Sequence, residues 1–114
     1  MSVKRIQPGP RMSQAVVHGN TVYLAGQVAG DDATTKGQTK QVLAKIDALL
    51  ASVGTSKSNL LAATVYLADM KTYNDMNEAW DAWVDPANAP ARATVEAKLA
   101  SPKYLVEISV VAAL

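Results

Sequence analysis

The hydrophobic period along this chain switches several times, and each switch marks an element. Residues 14–18 and 21–26 are two β-prone runs separated by Gly19-Asn20, which reads as a hairpin. Ahead of them, Pro8-Gly9-Pro10 reads as a turn. Residues 29–35 are rich in Gly, Asp and Thr and read as a loop. From 38 to 53 the period becomes helical. Val42, Ile46, Leu49 and Val53 form a stripe with Leu43 and Leu50 beside it, and Gly54 supplies a stop. Residues 60–68, centred on Thr64, Val65 and Tyr66, read as a buried strand. A second helix follows over 72–84, with Tyr73, Met76, Trp80 and Trp83 or Val84 as its stripe. Asp85-Pro86 ends it, because a residue before proline avoids helical torsions. A short loop through Asn88-Ala89-Pro90 leads to two further strands, 91–99 and 104–113, joined by a turn at Ser101-Pro102-Lys103.

The resulting order is β-β-α-β-α-β-β. Strands and helices mix without strict alternation, so the expectation is an α+β fold, a mixed sheet with both helices on one face. The other face must then be polar or covered by a partner. Val65, Leu67, Val106 and Ile108 are apolar candidates for that face, which favours a partner.

Composition narrows the classes. A length of 114 residues suits one domain over 1–114, and 49% hydrophobic against 18% charged residues is globular and low in charge. Eleven basic and ten acidic residues leave a net charge of +1. That is no lure for nucleic acid or for an anionic membrane. No cysteine is present, which excludes disulfides and thiolate chemistry. The first residues, Met1-Ser2-Val3-Lys4-Arg5-Ile6, lack a signal-peptide core, and no apolar run approaches the about 20 residues that span a bilayer. A cytoplasmic protein is expected.

Few residues offer chemistry. Arg92 opens a strand among small neighbours, and alternation puts it on one face with Thr94, away from Ala93 and Val95. Its guanidinium can fork a carboxylate and stays charged at any working pH; the alternative is a surface salt bridge. Glu107 interrupts an apolar run, sharing a face with Ser109 and Val111 while Val106, Ile108 and Val110 point the other way. A partly buried mid-strand carboxylate can serve as general acid or base; the alternative is a solvated or structurally paired side chain. His18 is the sole histidine and adjoins the hairpin turn, so no metal cluster is expected. Asp31, Asp32 and Asp69 read as loop and capping residues, and Trp80 and Trp83 as packing. Gly26, Gly30 and Gly37 match no phosphate-cradling spacing.

These residues resemble a known family. Pro90-Ala91-Arg92-Ala93-Thr94-Val95, then Leu99 and Leu105-Val106-Glu107-Ile108, is similar to the C-terminal signature of the RidA (YjgF/YER057c/UK114) family. Gly19 to Gln27 resembles its hairpin and Gly-Gln turn, and Asn77 matches its helix asparagine. Ala79-Trp80-Asp81-Ala82-Trp83 looks closer to the YoaB-like branch. The resemblance implies a chorismate-mutase-like fold, a homotrimer and three pockets at subunit clefts. It implies hydrolysis of reactive enamines and imines, such as 2-aminoacrylate and its 2-imino acid tautomer, to 2-keto acids and ammonia.

Carried over by position, Arg92 holds the substrate carboxylate and Glu107 orients or activates water. Backbone near Thr94 contacts substrate, Gly26 and Gln27 shape the wall, and Asn77 and Met12 lie at the site. No cofactor is implied, since an iminium is already electrophilic. Three positions depart from the archetype: Ala25 replaces a serine, Met12 a tyrosine and Thr94 a cysteine. The first two remove hydroxyls, which leaves open a non-catalytic binder or sensor of small 2-keto or carboxylic acids. RNA cleavage, attributed to some relatives, finds no histidine pair or basic-aromatic surface here. The deaminase reading expects Arg92 and Glu107 to meet in one water-accessible crevice between protomers, with side chains not on opposite faces of the sheet.

Overall fold

The computed structural model describes residues 2–114; Met1, the first residue of the segment read for a signal peptide, lies outside them. Six strands form one sheet: β1 (Val3–Pro8), β2 (Ser13–His18), β3 (Thr21–Leu24), β4 (Leu60–Leu67), β5 (Ala91–Glu96) and β6 (Val106–Ala113). Their spatial order is β1-β2-β3-β6-β4-β5. Only β4 and β5 run parallel, joined by a crossover through a helix; the other pairs are antiparallel. Two helices, α1 (Thr35–Ser52) and α2 (Tyr73–Trp83), pack on each other and share one core with the strands.

Each end of α1 is explained by its neighbours. Thr34 caps it by accepting from the Gly37 amide at 3.0 Å, and Asp32 accepts from the Thr34 amide and hydroxyl, both at 2.7 Å. These caps start the helix at Thr35, three residues before the expected start at 38. At the far end Gly54 takes φ +82°, the left-handed geometry that stops a helix. Gln38, 1% exposed, donates to the Asp32 and Lys103 carbonyls and accepts from the Leu105 amide. It thereby ties α1 to the approach of β6. Asp69 caps the 3-10 turn before α2, accepting from the Lys71 amide.

The structure adds a strand to the expected order. The segment around Pro8 is not only a turn: β1 pairs antiparallel with β2 at the sheet edge. It buries little, with Ile6 alone packed against the core, so it lacks the alternating signal by which strands are read. Pro8 is tolerated because an edge strand can forgo an amide donor.

The sheet faces also differ from the expectation. Val65, Leu67, Val106 and Ile108 were expected on an uncovered face. They are each 0% exposed and lie in the core cluster with the helices. The uncovered face instead carries the alternate residues, among them Thr64, Tyr66, Glu107, Ser109 and Val111, with Tyr23 beside Val111 and Val95 beside Tyr66.

Candidate active site

Register decides where the candidate residues point. Arg92 pairs with Ala63, which pairs with Val110, and both partners are buried under the helices. Arg92 therefore enters the helix-covered face. There α2 presents Tyr73, Met76, Asn77 and Trp80 at helical spacing on one side. Arg92 Nη1 donates to Asn77 Oδ1 at 2.9 Å and approaches Met76 Sδ at 3.8 Å, while Nη2 donates to the Tyr73 hydroxyl at 3.3 Å. The guanidinium carbon lies 5.1 Å from the Trp80 ring centre and 5.9 Å from that of Tyr73, within cation–π range.

No carboxylate pairs with Arg92 among the described residues, whose ion pair is Lys36–Glu78 at 3.0 Å. That removes the salt-bridge alternative within one chain. Three protein contacts leave at least two of the five guanidinium N–H groups uncommitted. Thr94 follows on the same strand face, and its Oγ1 is buried without a hydrogen-bond partner among the described residues. The Tyr73 phenol is held below its usual range, first by the Asn77 side chain and then by the Arg92 charge.

Glu107 sits elsewhere. It pairs with Tyr66, which pairs with Val95, on the uncovered face. Its carboxylate lies against Gly26. A Cβ built on that glycine would collide with Oε2 and stand 2.8 Å from Cδ, so the bare backbone is what admits the acid. Gln27 bridges to Ile108, the next residue along β6. Its side chain turns inward, 8% exposed, to donate to Gln14 Oε1 and the Ala25 carbonyl, both at 3.0 Å. Met12 is 48% exposed, and its carbonyl accepts from the Gly9 amide at 2.8 Å.

The expected residues thus fall into two groups: Arg92, Asn77 and Thr94 on one face, Glu107 and Gly26 on the other. The expectation that Arg92 and Glu107 avoid opposite faces fails within one chain, because the odd separation between Glu107 and Val110 flips the face. A single copy cannot bring the two together. Nor do four surface hollows of about 220 to 350 Å³ include either residue in their walls.

Tyr73, expected only as part of the helix stripe, and Trp80, expected as packing, both touch Arg92. The available signal was their spacing from Asn77, four before and three after, which puts all three on one helix face. No helix among the described residues is long and apolar enough to cross a membrane.

With this geometry the chain can be set beside known proteins. A family model described as Endoribonuclease L-PSP matches residues 2–114. A RutC family protein of Haemophilus influenzae is 50% identical over 114 residues, covering 98% of each chain. The RutC family protein YoaB of Escherichia coli K12 is 48% identical over 113 residues, covering 99% of each. A solved structure of a YjgF family member from Neisseria meningitidis superposes with TM-score 0.97 at 43% identity, over 99% of this chain and 95% of that one. The six-stranded mixed sheet with two helices is the chorismate-mutase-like fold of these neighbours, with one strand more than the sequence pattern marked. By sequence and by fold together, this chain belongs to the YjgF/RutC family, the RidA family that its motifs resemble.

Proposed function

We propose that the protein is a cofactor-free deaminase of 2-imino acids and their enamine tautomers, working as a homotrimer whose sites lie between copies. The observation that carries this reading is Arg92. It is a half-buried guanidinium gripped by α2, with no carboxylate partner among the described residues and N–H groups to spare. Such a group suits a small carboxylate far better than a structural role. The second copy supplies what one chain lacks: Glu107 from its uncovered face. That face carries Tyr23 at 48% and Val95 at 41% exposure, with Val111 and Tyr66 half-buried beside them, which is apolar surface suited to burial against another copy.

The chemistry then runs without further groups. Arg92 fixes the carboxylate and so places the adjacent C=N carbon. Glu107 of the neighbouring copy takes a proton from water as the oxygen attacks that carbon. Glu107 returns that proton to the imine nitrogen, giving a tetrahedral carbinolamine, and then passes the carbinol O–H proton to the same nitrogen; the C–N bond breaks, ammonia leaves and the C=O bond of the 2-keto acid forms. One water enters and one ammonia departs.

The test is the decay of enzymatically generated 2-iminopropanoate with and without protein. Wild type should accelerate it, and Arg92→Ala should lose about 100-fold or more of that acceleration, as expected for a charged contact worth a few kcal/mol. Equal decay rates with wild type and variant overturn the reading.

One observation favours a second reading. Ala25 and Met12 carry no hydroxyl at the positions where the family archetype has a serine and a tyrosine, which suits a trimer that binds small 2-keto acids without turnover. Saturable binding without rate enhancement would select it. RNA cleavage, named in the family model's description, has less behind it: the net charge is +1, and the sole histidine, His18, is exposed at a hairpin end.

A further inference from the structure

Resting on the carboxylate reading of Arg92, we propose that Tyr73 sets the specificity of that site. Its hydroxyl donates to the heteroatom at C2 of the bound acid and so selects 2-oxo and 2-imino acids over plain carboxylates.

The Tyr73 oxygen accepts from Arg92 Nη2 at 3.3 Å. The Asn77 side chain acts on it in the same sense, since both favour the phenolate. The phenol oxygen is thus engaged as an acceptor by Arg92, while among the described residues no hydrogen bond is made by its own proton; the ring is 39% exposed, so that proton is available to a ligand.

Distance then assigns the ligand atom. When a carboxylate oxygen takes the other N–H of Nη2, guanidinium geometry separates it from the phenol oxygen by about 5 Å, too far for a hydrogen bond. A group attached at C2 of the acid extends into that gap. In the imine it is nitrogen and in the product it is the keto oxygen, and both accept a hydrogen bond. A plain carboxylate such as propionate offers only C–H there. A site built to hydrogen-bond a substrate atom discriminates well against the analogue that lacks it, because the donor is left unpaired.

The charged groups acting on Tyr73 are Arg92 from β5 and Asp81 from its own helix. Arg92 and Asn77 lower the phenol's titration and Asp81 opposes them, with the net shift downward from 10.0. The donor disappears as the phenol ionises, so the preference should fade at alkaline pH earlier than an ordinary tyrosine would allow.

The experiment is calorimetric titration of pyruvate and of propionate into full-length wild type and Tyr73→Phe, near neutral pH and again above the phenol's titration. Wild type should prefer pyruvate at neutral pH and lose that preference at high pH. Tyr73→Phe, which removes one oxygen and keeps the ring on Arg92, should lower the pyruvate-to-propionate ratio about five- to tenfold and flatten its pH dependence. An unchanged ratio in the variant overturns the proposal, as does a variant ratio that still falls with pH. If wild type binds neither acid, the carboxylate reading of Arg92 falls with it. If both acids bind but no imine is turned over, the deaminase reading fails and this one stands.

Discussion

On the helix-covered face, Arg92 is held by four side chains of α2; on the uncovered face, Glu107 leans on the bare backbone of Gly26. The arginine's surroundings are complete within one chain. Hydrogen bonds to Asn77 and Tyr73 and the Trp80 ring fix the guanidinium before any ligand arrives, so little side-chain entropy remains to be lost on binding. The acid's surroundings are open. Its neighbours across the sheet, Tyr66 and Ser109's partner Thr64, belong to a face that no element among the described residues covers. On the proposed reading, carboxylate capture would belong to the protomer, whereas water activation would depend on how two faces from different copies meet.

Disrupting the uncovered face alone should cost the most. Val111 is half-buried at its centre, beside Tyr23. Val111→Arg should leave the protomer folded, with unchanged far-ultraviolet dichroism, yet give a monomer by light scattering with no measurable imine turnover. A trimer of full activity would show that this face is not the interface.

Gly26→Ala should have a smaller and more selective effect. The added methyl displaces the Glu107 carboxylate, whose Cγ would stand 3.1 Å away, and touches nothing of the Arg92 cluster. Turnover should fall about tenfold or more, within the range of lost acid–base assistance. Calorimetric affinity for a 2-keto acid should change by less than about threefold. A parallel loss of both would contradict the division of labour between the faces.

The smallest expected effect lies outside the site and serves as a control. Asp85 follows α2 and accepts from Asn88 Nδ2 at 3.0 Å, Ser58 Oγ at 2.8 Å and the Ala87 amide at 3.0 Å, which hold its carboxyl below the ordinary 3.8. Its folded value is depressed, so its contribution to stability is present above pH 3.8 and is lost as pH falls through the lower folded value. The gap in melting temperature between wild type and Asp85→Asn should be small, since the group is exposed, and should close under acid. A gap that widens under acid would contradict this sign.

Much of this was legible in the chain itself. α1 was visible because Val42, Ile46 and Leu49 repeat at helical period, and β6 because Glu107 and Ser109 alternate with Val106, Ile108 and Val110. The capping aspartates, the stop at Gly54 and the break at Asp85-Pro86 each came from local chemistry that tertiary context did not override. β1 was hidden because an edge strand with one core-packed residue has no period to read. The sheet faces were exchanged for a different reason: alternation says which residues share a face but not which face the helices cover. The same limit hid the separation of Arg92 from Glu107. Each strand's alternation was right, but relative facing is fixed by the register between β5, β4 and β6, which involves contacts distant in sequence. Tyr73 and Trp80 went unrecognised because an aromatic stripe on a helix ordinarily means core, and only the partner strand shows that an arginine lies beneath it.

The claim that one site draws its arginine and its acid from different copies can be tested by mixing two dead proteins. Arg92→Ala and Glu107→Gln should each lack imine turnover alone. After co-refolding at equal ratio, with mixed trimers verified by native mass spectrometry, about a quarter of the sites should pair an intact Arg92 with an intact Glu107 and activity should return in proportion. Mixed trimers that remain inactive would contradict the account.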